Sequence, residues 1–127
     1  MRIWSLLVIV LAMGFAIPGA TAQSKSVTVV QHAERLRAEH KEDTAAKLLT
    51  GYLDKHPEDS NALTALAEVR VDQGDTDEAV DLLTHALAAS PNSEAANLTL
   101  GNLLLEQHHY PEAMDRFETV LAIDLQN

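Results

Sequence analysis

The segment DTDEAVDLLTHALAASPN, residues 75–92, decides the fold. Asp77 and Glu78 are acids placed where a helix N-terminus is electropositive. Asp75 stands three residues before Glu78, the spacing of a capping box. Ala79, Leu82, Leu83, Ala86 and Leu87 then recur at helical spacing along one face, and Pro91 prevents continuation. Just upstream, NALTALAEVRVDQ (residues 61–73) carries Leu63, Leu66, Ala67 and Val71 on one face. Gly74 lies between the two patterns and is able to stop the first helix in a left-handed conformation. The whole stretch predicts two helices joined by a tight turn.

The unit recurs. Pro57 and Pro91 are 34 residues apart, and sliding the chain by that interval aligns Ala45 with Ala79 and Ala113. Leu49, Leu83 and Phe117 form a second column, Leu53, Leu87 and Leu121 a third, and Ala33, Ala67 and Gly101 a fourth. Leu66 matches Leu100, and Gln73 matches Gln107. Three units of about 26–59, 60–93 and 94–127 follow, each of two helices. Pro111 suits the first turn of the last helix, where no amide donor is needed. SVTVV (residues 26–30) is β-branched and opens the first helix poorly. Small residues in two columns let paired helices approach closely, and the Leu or Phe column fills the space between them. No single pair buries such a face alone, so the pairs stack. The expected fold is all-α, a solenoid of antiparallel helix pairs.

These columns resemble the tetratricopeptide repeat, a helix-turn-helix unit of 34 residues. Leu63, Leu66-Ala67, Arg70, Gly74, Ala79, Leu83, Ala86 and Pro91 stand at the family's offsets in the middle unit. Asn97, Leu100-Gly101, Leu104, Ala113, Phe117 and Val120 do so in the third. In the first unit His32 and Tyr52 depart from the pattern. The resemblance implies a protein-interaction module whose first helices line a concave groove for a peptide or partner protein. Carried over by offset, the groove takes Val30, Glu34 and Arg37 from the first unit. It takes Asn61, Thr64, Glu68 and Asp72 from the second, and Leu98, Asn102, Leu105 and Glu106 from the third. Some members hold acidic chaperone tails with Lys and Asn at these offsets. Glu34 and Glu68 occupy such places here, which argues against that ligand.

Composition narrows the function classes. The net charge is -10, opposed to the basic footprint that nucleic-acid binding needs. The charge is uneven: residues 23–57 carry a net +1, and residues 58–127 a net -12. An acidic half steers basic or polar partners. No cysteine is present, which excludes disulfides, thiolate metal sites and a cysteine nucleophile. No phosphate-binding glycine loop, nucleophile elbow or isolated carboxylate pair is found, so neither an enzyme nor a cofactor is expected. His108-His109 with Glu112 is the best metal-like cluster. It falls at a turn, and adjacent histidines rarely aim at one ion, so no metal is expected. His85 is expected on an exposed helix face, His32 at an interface and His56 near a helix C-terminus. Asn97-Leu98-Thr99 matches a glycosylation acceptor but lies inside a helix, so it is discounted.

The N-terminus reads as an address. Arg2 precedes an almost wholly apolar run from Ile3 to Ile17, shorter than the roughly 20 residues of a spanning helix. Pro18 and Gly19 break it, and Ala20-Thr21-Ala22 gives a small-x-small site before Gln23. Residues 1–22 therefore read as a cleavable secretory signal peptide, and residues 23–127 as the mature repeat domain, with no membrane attachment after cleavage. The expected location is a bacterial periplasm or envelope, or outside the cell. At the other end, Phe117, Val120, Leu121 and Ile123 are expected to form an outer face that no further helix covers. Self-association through that face is the alternative function.

Overall fold

The computed structural model describes residues 18–127. Met1 to Ile17, which hold the positive start and the apolar run of the expected signal peptide, lie outside the described residues. Six helices and no strand are present among the described residues: α1 (Pro18–Ala38), α2 (Glu42–Leu53), α3 (Ser60–Gln73), α4 (Thr76–Ala89), α5 (Glu94–Glu106) and α6 (Tyr110–Asp124). They pair as α1/α2, α3/α4 and α5/α6. The pairs stack in order, α3 resting on α1 and α2, and α5 on α3 and α4. The result is the expected all-α solenoid.

The columns do the packing that their residue sizes suggest. Ala33, Ala45, Ala67 and Ala79 are wholly buried, and Ala113 nearly so. Leu49 and Leu83 are wholly buried between successive pairs. Gly101 explains the exception in its column: a Cβ there would stand 2.6 Å from Cε1 of Phe117. The aromatic ring therefore occupies the volume that an alanine methyl fills in the other units. Burial continues from pair to pair in two adjoining clusters, one around Leu49 and Leu66 and one around Leu83 and Leu100.

SVTVV is helical despite its β-branched residues. Ser26 is buried and Val29 and Val30 pack against the Leu49 cluster, so tertiary burial outweighs a weak local preference. His32 is exposed rather than at an interface. Its counterpart Leu66 packs on α2, and no helix pair precedes α1 among the described residues. His85 is exposed, as expected. Asn97 is fully buried, and its side-chain nitrogen donates to the carbonyls of Pro91 and Ser93, so the glycosylation match has no free amide.

The turn inside each unit is set by the backbone. His40, Gly74 and His108 have φ of 55°, 84° and 65°, a left-handed residue at the same place in all three units. The next amides, of Lys41, Asp75 and His109, reach back to the carbonyls of Leu36, Arg70 and Leu104 at 2.9, 2.8 and 2.8 Å. This is a Schellman closure three times over. It also corrects the capping-box expectation. Asp75 is held at ψ 64°, not in the extended region a capping side chain needs, and makes no cap hydrogen bond. Glu78 instead lies 3.0 Å from Nε of Arg70. The side-chain caps are at the turns between units: Asp59 and Ser93 are extended and accept from the amides of Ala62 and Ala96.

A left-handed histidine stores strain that glycine does not. His40→Gly is expected to raise stability by about 0.5–1 kcal/mol, and Gly74→Ala to lower it by about 1 kcal/mol. Urea denaturation of the three proteins checks both signs.

Candidate functional site: the concave groove

The first helix of each pair, α1, α3 and α5, turns one face to a shared concave side. Helical spacing and the repeat interval place Val27, Asn61 and Ala95 in one row there, and Val30, Thr64 and Leu98 in the next. Between α1 and α3 the rows open into a cleft of about 250 Å3. Val27, Val30 and Ala95 supply its apolar lining, and Glu34, Asn61 and Glu68 its polar edge. Val27 is 47% exposed, an unusual state for valine. Thr64 contributes less than its offset suggests. It is buried, and its hydroxyl donates to the carbonyl of Ser60, leaving little for a ligand.

Arg37 of α1 bridges to α3. Its guanidinium donates to Asp72 at 2.6 Å and also to Glu68. Burial alone would lower the pKa of Arg37; the Asp72 and Glu68 contacts outweigh it and hold the group above the ordinary arginine value. Two of the four groove acids are therefore partly neutralised within the fold. Glu34 and Glu106 enter no ion pair among the described residues. Glu34 sits between the cleft and a second hollow of about 520 Å3 formed with Arg37, His40 and Asp72.

The structure thus gathers Glu34, Asn61, Thr64 and Glu68 around one cleft, and Arg37 with Asp72 around its neighbour. Leu98, Asn102, Leu105 and Glu106 lie on the α5 part of the same face but line neither hollow. All four are exposed, Leu98 by 37% and Leu105 by 46%. Val27 and Ala95 were not among the expected groove residues. Both stand one repeat from Asn61, so the interval alone would have found them.

Among the described residues no group of three or more His, Asp or Glu is arranged to hold a metal ion. His108 Nδ1 lies 2.9 Å from the Tyr110 hydroxyl, at the turn before α6. No described helix is long and apolar enough to cross a membrane.

A family model described as the tetratricopeptide repeat matches residues 36–84 and again residues 70–127. The chain belongs to the tetratricopeptide repeat family. No curated protein matches it in sequence. Among solved structures, the second tetratricopeptide domain of Spaghetti (RPAP3), bound to the HSP90 peptide SRMEEVD, superimposes with a TM-score of 0.70 at 19% identity. That match covers 82% of this chain and 98% of the other. The Sgt2 tetratricopeptide domain from Aspergillus fumigatus gives 0.71 at 19% identity, over 79% of this chain and 66% of that one. O-GlcNAc transferase of Thermobaculum terrenum gives 0.71 at 20% identity, over 80% of this chain but 20% of the transferase. At such identities the likeness is one of fold. The tetratricopeptide fold is mainly a scaffold for protein interaction, although some chains that contain it are enzymes.

Proposed function

We propose that this tetratricopeptide repeat protein is an exported interaction module that holds a peptide segment of a partner protein in the concave groove. The observation that carries the reading is the α1–α3 cleft, where apolar Val27, Val30 and Ala95 are rimmed by Glu34 and Glu68. An extended or helical segment with one or two apolar side chains fits that lining, and lysine or arginine beside them meets the rim. The acidic peptide SRMEEVD, bound by a structural neighbour, would set its carboxylates against Glu34. This chain places glutamate, not lysine or asparagine, at that point. Signal cleavage before Gln23 would remove only the first residues of α1 and leave Ser26 and the cleft intact. N-terminal sequencing of the exported chain should read Gln23, and retention of Arg2 would rule out cleavage.

The binding test uses isothermal titration with two peptides of equal length, one apolar and lysine-bearing, the other SRMEEVD. The lysine peptide should bind at least about ten-fold more tightly, with affinity falling as salt rises. Glu34→Lys should abolish that preference. A tighter complex with SRMEEVD, or a preference unchanged in Glu34→Lys, would exclude the groove reading.

A further inference from the structure

The two ends of the stack are chemically unlike. α3 rests on the α1/α2 pair through Ala62, Ala65, Leu66 and Val69, and α5 rests on the α3/α4 pair through Ala96, Leu100 and Leu103. One repeat before α3, the same places on α1 hold Thr28, Gln31, His32 and Arg35, all exposed. Among the described residues, that end therefore presents a wettable face. At the other end, Met114, Phe117 and Leu121 of α6 stand where Val80, Leu83 and Leu87 of α4 receive α5. Leu83 is 0% and Leu87 9% exposed, whereas Met114 and Leu121 are each 61% exposed. Tyr110 and Leu125 lengthen the stripe at 53% and 88% exposure. Val120, expected on this face, is instead buried against α5, and Phe117 is half-covered because its ring lies over Gly101.

We propose that this α6 stripe is the docking site for an amphipathic helix of a partner protein. The chain itself shows what such a helix carries. The two helices already seated on equivalent surfaces present Ala62, Leu66 and Val69 in one case and Ala96, Leu100 and Leu103 in the other. A small residue, then Leu, then Val or Leu is the matching order. Charge specifies the flanks. Helical spacing sets exposed Glu118 and Asp124 beside the stripe on α6, whose single cation, Arg116, is paired with Asp115. Lysine or arginine beside the apolar stripe of the incoming helix therefore complements the acidic surround.

A second copy of this chain meets the surface less well in either orientation. Head-to-tail stacking sets Thr28, Gln31, His32 and Arg35 on the apolar stripe. Antiparallel pairing of two α6 helices, centred on Met114 to Leu121, brings Glu118 against Glu118. This surface is separate from the groove, so Glu34→Lys should leave it unaltered.

The test titrates the full chain with a helical peptide of about four turns. It bears Ala, Ala, Leu and Val at the spacing of Ala62, Ala65, Leu66 and Val69, with lysine at its outward positions. A second peptide carries glutamate at those positions. Saturable binding of the lysine peptide is expected, weakened at least about ten-fold by the glutamate exchange. Leu121→Glu and Met114→Glu should each weaken it to a similar extent. Both side chains are exposed, so both variants should keep the helical circular dichroism of the parent. No binding of the lysine peptide, or binding indifferent to both substitutions, would overturn the proposal. So would a dimer that forms on concentration and is dissolved by Leu121→Glu, which would give the face to a second copy.

Discussion

Leu83→Ala is expected to remove about 3 kcal/mol of stability, within the usual range for emptying a buried leucine site. Leu83 is wholly buried and joins α3, α4 and α5 through Leu63, Ala67, Ala96 and Leu100. The cavity left behind is shared by three helices, so no single one can collapse into it. In a small repeat domain this loss is a large share of the total stability. Leu121→Ala is the matched control. It makes the same chemical change at a site 61% exposed, and should shift stability by less than about 0.5 kcal/mol. Urea denaturation followed by far-ultraviolet circular dichroism reads both. Equal losses would show that burial between successive pairs does not set the energetics of the array.

The second large effect centres on Asp59. Its carboxylate caps α3 through the amide of Ala62 at 3.1 Å, and accepts from Ser26 at 3.0 Å and from the Tyr52 hydroxyl at 2.9 Å. One side chain thus ties α1, α2 and α3 together. Asp59→Ala removes a cap worth about 1 kcal/mol and strands the buried Ser26 hydroxyl, for a loss of about 2–4 kcal/mol in all. Ser93→Ala, which removes a cap alone, should cost about 1 kcal/mol. In the Asp59→Ala background, Tyr52→Phe should cost little further, because the hydroxyl has already lost its acceptor. Partial burial and Asp59 raise the phenol of Tyr52 above its ordinary value. A raised folded value favours the neutral phenol. Its contribution is therefore complete below the unfolded tyrosine value near pH 10 and fades as pH rises through the folded one. Full additivity of Asp59→Ala and Tyr52→Phe would show that the two side chains act separately.

The fold was legible because the repeat interval aligns residue size with burial. The alanine column at 45, 79 and 113 could serve no other purpose than close helix contact, and it does so. Tyr52 was legible only as a departure from the pattern. Its role appears once folding brings Asp59 and Ser26 beside it. The turns were half visible. Gly74 announced a left-handed residue, whereas His40 and His108 adopt that conformation without any local signal, because the Schellman bonds impose it. The groove was legible as a face through the repeat offsets. The pairing of Arg37 with Glu68 and Asp72 was not, since a long side chain crossing between helices leaves no periodic trace.

The unlike ends give the molecule a direction of growth. Duplicating a 34-residue segment is the simplest way for a gene to lengthen such an array. A copy added beyond α6 would find Met114, Phe117 and Leu121 ready to receive its first helix. A copy inserted ahead of α1 would abut Thr28, Gln31, His32 and Arg35, and would need several substitutions before it could join. Among the described residues, the α1 face is thus blocked to a further unit and the α6 face is living, in the sense used of a polymer chain.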